Sequence, residues 1–207
     1  MSAAEQTAAL LDRARGGDAD AVGELFELHR DRLRRMLSVR LDQRVARRVS
    51  PDDVLQEAFL DVAARLGEYL ERPAVPFYVW LRFLVVQRMQ AAHRAHLGAK
   101  GRDVRQEAEA AGGAFASPDS MAGQLAGAFT SPSQAAIRHE RQERLREALD
   151  AMDPLDREVL ALRHFEELGN AEVAEVLGIS KDAASKRHVR ALKRLKEILS
   201  DPSDTSL

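Results

Sequence analysis

The sequence predicts an all-α protein of two small helical domains joined by a flexible linker, and three observations support this. Apolar residues recur at helical spacing from Ala8 to about Gln106 and again from Ala135 to Leu199. Between those stretches the composition shifts to Ala, Gly, Ser and Pro, with no sustained apolar face. A balance of 45% hydrophobic and 31% charged residues against 5% aromatic suits packed amphipathic helices. The expected boundaries are 1–106 for the first domain, 107–133 for the linker, 134–200 for the second domain and 201–207 for a polar tail.

Taken in order, Leu10, Leu11 and Ala14 form one apolar stripe, and Val22, Leu25, Phe26, Leu28, Leu33, Met36 and Leu37 form the next, a helical hairpin. Asp18 is expected to cap the second of these. Ser50-Pro51-Asp52-Asp53 opens another helix with a capping hydroxyl, a proline in the first turn and acids at the positive end of the dipole. That helix turns Val54, Leu55, Ala58, Phe59, Val62, Ala63 and Leu66 inward, and is expected to fade near Gly67 before Pro73 and Pro76. A further helix runs from Phe77 to about Leu97. Gly112-Gly113, Ser117-Pro118 and Ser131-Pro132 mark the linker. Periodicity returns through Leu145, Ala148, Leu149 and Met152, breaks at Pro154, and resumes with Leu155, Val159, Leu160 and Leu162.

Several classes of function are disfavoured by composition. With no cysteine, the chain has no disulfides, thiol nucleophiles or cysteine-ligated metals of its own. The N-terminus carries no apolar signal core, and apolar runs such as Phe83 to Val86 are far too short to span a bilayer, so no membrane insertion and a cytoplasmic location are expected. A net charge of −2 argues against a uniformly basic coat but hides local patches.

The densest signal is Asn170 to Arg187, whose spacing fits a helix-turn-helix. Ala174 is small where two helices cross, Gly178 can take the left-handed conformation of the turn, Ile179 plugs the core and Ser180 caps the second helix. The second helix of such a motif enters the major groove by its first turns, so Lys181, Asp182, Ala183, Ser185, Lys186 and Arg187 are the candidate readers of base edges. Arg190, Lys193, Arg194 and Lys196 extend its basic face. From Lys181 to Glu197 there are seven Lys or Arg against two acids, in a chain that is acidic overall.

Two other patches differ in sign. Arg82, Arg88, Arg94, Lys100, Arg102 and Arg105, with His93 and His96, follow Phe77, Tyr78, Trp80 and Phe83; cations beside aromatics suit unstacked bases of single-stranded DNA, although Phe83 and Trp80 read better as core. His93 and His96 are spaced for a metal, but no third ligand is nearby, and neither a metal nor another cofactor is expected. From Asp52 to Glu71, six acids face the single Arg65. An acidic helix suits a basic protein partner rather than DNA.

In this order these residues resemble the extracytoplasmic-function (ECF) sigma factors, two-domain members of the bacterial sigma-70 family, over nearly the whole chain. Asp52 to Leu60 resembles the helix that binds the polymerase clamp, which implies core-polymerase contacts at Asp52, Asp53, Gln56, Glu57, Leu60 and Asp61. Phe77 to Leu81 and the basic helix after it resemble the segment that melts and captures the minus-10 element, implying Trp80, Gln87, Arg88, His93, Arg94, Lys100 and Arg102 as DNA contacts. Arg141 to Leu199 is similar to the minus-35-binding domain, with Ser180 and Arg190 joining the six candidate readers. The resemblance implies a sigma region 2-like bundle and a sigma region 4-like helix-turn-helix. It also implies a non-catalytic subunit whose partners are RNA polymerase core, promoter DNA and, as in many members, an anti-sigma factor.

There are departures from the family pattern. Gln87 stands where asparagine is frequent and Ala91 where aspartate is; Ala184 and His188 replace larger apolar residues, which would loosen packing or let His188 face DNA. Two other classes stay open on sequence alone. A conventional helix-turn-helix regulator would bind duplex DNA by itself as a dimer but leaves the acidic helix unexplained. An enzyme would need a phosphate loop, a nucleophile elbow or a metal-binding helix pair, none of which is legible.

Overall fold

The computed structural model describes residues 2–97, 115–127 and 135–200, and divides into two units, residues 1–114 and 115–207. Every element described is helical, so the all-α expectation holds.

In the first unit, α1 (Ala3–Arg15) packs on α2 (Ala21–Arg40), and α2 packs on α4 (Pro51–Glu71) and α5 (Phe77–Leu97), with the single turn α3 (Gln43–Ala46) against α5. Leu25, Leu33, Met36 and Leu37 of α2 meet Leu55 of α4 and Leu81, Leu84 and Met89 of α5 in a core from which water is excluded. Burial on this scale contributes roughly 1.5–3 kcal/mol per large side chain. The start of α4 is set locally: the Asp53 amide donates to Ser50 Oγ at 3.1 Å, the Ser50 amide donates to Asp53 Oδ2 at 2.8 Å, and Pro51 fills the first turn.

Four local expectations change. Asp18 does not cap α2; its carboxylate accepts the Asp20 amide at 3.0 Å and pairs with Arg13, so the chain turns before the helix begins at Ala21. Gly67 does not end α4, which continues to Glu71, since burial of Leu66 and Tyr69 on either side of the glycine offsets its cost of about 1 kcal/mol in a helix. Ala63 is exposed rather than inward. Phe83 is 53% exposed rather than core, while Trp80 is half-buried.

In the second unit, α6 (Pro118–Gly127) lies against α7 (Ala135–Asp150), and α8 (Pro154–His164), α9 (Asn170–Leu177) and α10 (Lys181–Ser200) complete the bundle. Leu149, Met152, Val159, Leu160, Leu162, Phe165, Leu168 and Val173 form its core, and Ala184 and Ala191 bring α10 close to it. Helix α6 corrects the linker expected at 107–133. Met121, Ala122 and Ala126 are buried, and the buried Glu158 of α8 accepts the Ala116 amide at 3.0 Å, so residues 115–127 belong to this unit. The rest of that expected linker and the tail 201–207 lie outside the described residues.

Candidate nucleic-acid interface

The helix-turn-helix is built by its turn. Gly178 has φ 63° and ψ 33°, the left-handed region that a side chain would strain, and its amide and that of Ile179 close back on α9. Ile179 is half-buried, and Ser180 Oγ accepts the Ala183 amide at 3.1 Å, capping α10 as its position predicts. Asn170 Nδ2 donates to the Lys181 carbonyl at 2.7 Å, which locks the start of α9 to the start of α10.

Along α10, Ser180, Lys181, Asp182, Ala183, Ser185, Lys186 and Arg190 are all exposed. Lys186 pairs with Asp182 at 2.7 Å, an exposed pair that a phosphate can readily replace. Arg187 departs from expectation. Its Nη1 donates to Asp156 Oδ1 at 2.7 Å, and its side chain is only 26% exposed, because Asp156 stands in the first turn of α8, opposite this helix. Arg190 donates to the same carboxylate through Nη2 at 2.9 Å and Nε at 3.3 Å while staying 61% exposed. Burial pushes the Asp156 carboxyl up, but Arg190 and Arg187 together outweigh it and hold it below the ordinary carboxylate range. Sequence reading missed Asp156, whose only local signal is its place three residues after the cap Asp153. It also missed Val189, 64% exposed in the middle of the basic face.

His188 is engaged within the second unit. Its Nε2 lies 3.1 Å from Nε2 of His164 on α8, so one ring donates and the other accepts. Burial comes first in holding both below the ordinary histidine value, and positive neighbours add to it. A depressed histidine pKa means that the unfolded chain takes up protons the fold resists. The second unit is therefore expected to lose stability as pH falls below about 6.5, and a His188→Leu variant is expected to flatten that dependence in thermal melts between pH 7.5 and 5. Parallel curves for variant and parent would remove the pair as the cause.

In the first unit, helical geometry puts Trp80, Phe83, Gln87 and Arg94 on one stripe of α5. Trp80 stacks on Tyr69 with centroids 4.8 Å apart, and Phe83, Gln87 and Arg94 are exposed beside it. Two of the expected minus-10 residues are engaged elsewhere. Arg88 makes a two-pronged ion pair with Asp61 of α4, so the resemblance had assigned to two surfaces a pair that the fold joins. His93 lies on another side of α5, where its Nε2 accepts the Asp42 amide at 3.3 Å, and burial lowers its pKa. Lys100 and Arg102 lie outside the described residues.

The acidic helix α4 is similarly sorted. Asp52 accepts from Arg34 at 2.6 Å and from Arg30 at 3.2 Å, and Asp53 is held in its capping box. Those partners, Arg34 first for Asp52 and Ser50 for Asp53, hold both carboxyls below their ordinary value. Gln56, Glu57 and Leu60 share one exposed face, and Leu60 is 65% exposed, an apolar centre with a polar rim. Among the described residues no helix is long and apolar enough to cross a membrane.

A family model, sigma-70 region 4, matches residues 142–195, from α7 to α10. The chain is 30% identical over 193 residues to the ECF RNA polymerase sigma factor SigD of Mycobacterium tuberculosis, covering 93% of this chain and 84% of that protein. It is 28% identical to the RNA polymerase sigma factor CarQ of Myxococcus xanthus, covering 92% and 96%. Among solved structures, CnrH in complex with the cytosolic domain of CnrY has a similar fold, with a TM-score of 0.56 and 23% identity over 96% of this chain and 99% of that one.

Proposed function

The chain belongs to the ECF RNA polymerase sigma factors of the sigma-70 family, and from that membership we propose how its two units divide the work. It is an alternative sigma factor that binds polymerase core and promoter DNA and directs promoter recognition and transcription initiation. The first unit docks on core through the α4 face of Gln56, Glu57 and Leu60, and engages the minus-10 element through the α5 stripe of Trp80, Phe83, Gln87 and Arg94. The second unit, beginning near Phe115, reads the minus-35 element with α10. The observation that carries this reading is the exposed basic face of α10, set by a left-handed glycine turn, in a chain that also exposes Leu60 among polar residues on a separate unit.

As a polymerase subunit the protein specifies where chemistry starts and needs no catalytic residue of its own. It works in the cytoplasm, where the polymerase and chromosome meet. An anti-sigma factor is a further partner; CnrH, a protein of similar fold, is itself seen in complex with the cytosolic domain of CnrY.

The test is transcription from a promoter library by core polymerase with and without the protein, with start sites mapped. New start sites sharing two upstream elements support the reading; duplex binding without core binding or new starts overturns it. Within α10, Lys186→Ala is expected to weaken minus-35 binding by about 1–3 kcal/mol if Lys186 reaches a base, measured by competition against random duplex. An equal loss on random DNA reassigns it to a phosphate.

A further inference from the structure

We propose that Asp156 is a positioning residue for DNA-sequence discrimination: by holding Arg187 and Arg190 in one geometry it fixes which cation of α10 is offered to a base edge and which is withheld. The inference rests on the reading of α10 as the DNA-facing helix. Asp156 is itself fixed: its amide donates to Asp153 Oδ1 at 3.2 Å in the cap of α8, and its carboxylate is 9% exposed. The two arginines lie one turn apart, and Asp156 Oδ1 accepts from Nη1 of Arg187 at 2.7 Å and Nη2 of Arg190 at 2.9 Å.

Free guanidiniums on a DNA-facing helix would seek any phosphate, strengthening binding to all sequences alike. The shared carboxylate changes that in two ways. Arg187, tucked against Asp156 and 3.6 Å from Asp153, is withdrawn from the surface. Arg190 is paired side-on through Nε and Nη2, which leaves the two N–H groups of Nη1 for an outside acceptor and restricts the rotamers from which they can be offered. One fixed fork reads an edge better than two mobile cations do, and one carboxylate shared by two cations also reduces the charge the duplex meets. Ser185, Lys186, Val189 and Lys193 line one stretch of surface with Arg190, so what Asp156 orients borders the proposed contact.

The experiment uses the full chain bound to polymerase core, selecting duplexes from a library randomised at the upstream promoter element, with thermal unfolding of every variant followed in parallel. The parent should select a motif, and Arg190→Ala should flatten one or two adjacent positions. Asp156→Asn is expected to flatten the same positions by roughly fivefold or more. It should also bind random duplex at least as tightly as the parent, with a steeper salt dependence, and add nothing to the loss in an Arg190→Ala background. Parent-like preferences in Asp156→Asn, or a uniform loss that adds fully to Arg190→Ala, overturn the proposal and leave Asp156 a structural ion pair. If the asparagine variant does not fold, Arg190→Lys keeps the charge without the side-on pair; it should flatten the same positions, and unchanged preferences overturn the proposal. If the parent itself selects no upstream motif, the reading of α10 fails, a pattern distinct from failure at Asp156.

Discussion

Replacing Leu60 by Asp is expected to lower affinity for RNA polymerase core by about 2–4 kcal/mol, roughly thirty- to a thousandfold. The argument starts from what the residue does not do. At 65% exposed it fills no part of the first unit's core, so the substitution leaves helix α4 and its capping box intact. A large apolar side chain kept in water between Gln56 and Glu57 resembles the desolvated centre of a protein interface, and a carboxylate there would have to be buried unpaired on docking. Melting temperature and duplex binding by the second unit should be unchanged, which separates lost docking from lost folding. Asp61→Ala is the contrast: its carboxylate is already paired with Arg88, so core affinity should change little. Titration of labelled protein with core, read by anisotropy, measures both. A Leu60→Asp variant that binds core as the parent does would remove this face from the assignment.

How far the sequence foretells such sites depends on how local the deciding interaction is. Ser50-Pro51-Asp52-Asp53 is legible because a cap, a proline and an acid lie within one turn of the helix they start. Gly178 is legible because a left-handed residue between two helical runs has few alternatives to glycine. The same grammar stands at Ser117-Pro118-Asp119 and opens α6, yet the surrounding alanines and glycines read as linker. Small residues look featureless in a periodicity count, but they let α6 pack closely on α7, burying Met121, Ala122 and Ala126.

Charged residues are the opposite case. Their chemistry is plain in the sequence and their partners are not, because Arg88 finds Asp61 across 27 positions and Arg187 finds Asp156 across 31. A basic run therefore marks the exposed face of α10, while Arg187 within it turns to Asp156. His93 and His188 follow the same pattern: each lies on a side of its helix that meets another element, where a backbone amide or a second imidazole takes its nitrogen. On the acidic helix Asp52 and Asp61 make internal pairs, and the exposed face beside them carries Leu60, which the family resemblance names and a charge count alone would not.

The first unit is expected to lose about 3 kcal/mol of stability between pH 6.5 and about 4, with His29 as the largest single source. His29 is 6% exposed, packed between α1 and the rings of Phe77 and Tyr78, at centroid distances of 5.7 and 5.6 Å. The Thr7 hydroxyl donates to the Ala3 carbonyl at 2.8 Å, so toward His29, 3.1 Å away, it can only accept, and Nε2 carries the proton of a neutral ring. Burial comes first, and the nearby Arg32 second, in pushing this histidine down from 6.5 to about 4. The sign follows from the difference between states. Above pH 6.5 both forms are neutral and the ring contributes no pH dependence; between 6.5 and 4 the unfolded chain gains a proton that the fold refuses, and each unit of pH lowers stability by about 1.4 kcal/mol. Below 4 the folded ring is protonated too and the contribution levels off. His29→Leu removes the titration while keeping an apolar filling, so denaturant unfolding at pH 7.5 and 4.5 should show the parent losing stability and the variant losing much less. Equal losses in the two proteins would move the acid sensitivity elsewhere in this unit, first to His93, which burial also holds below the ordinary histidine value; the Asp61 carboxyl, held low by Arg88, loses its contribution only at lower pH than this comparison reaches.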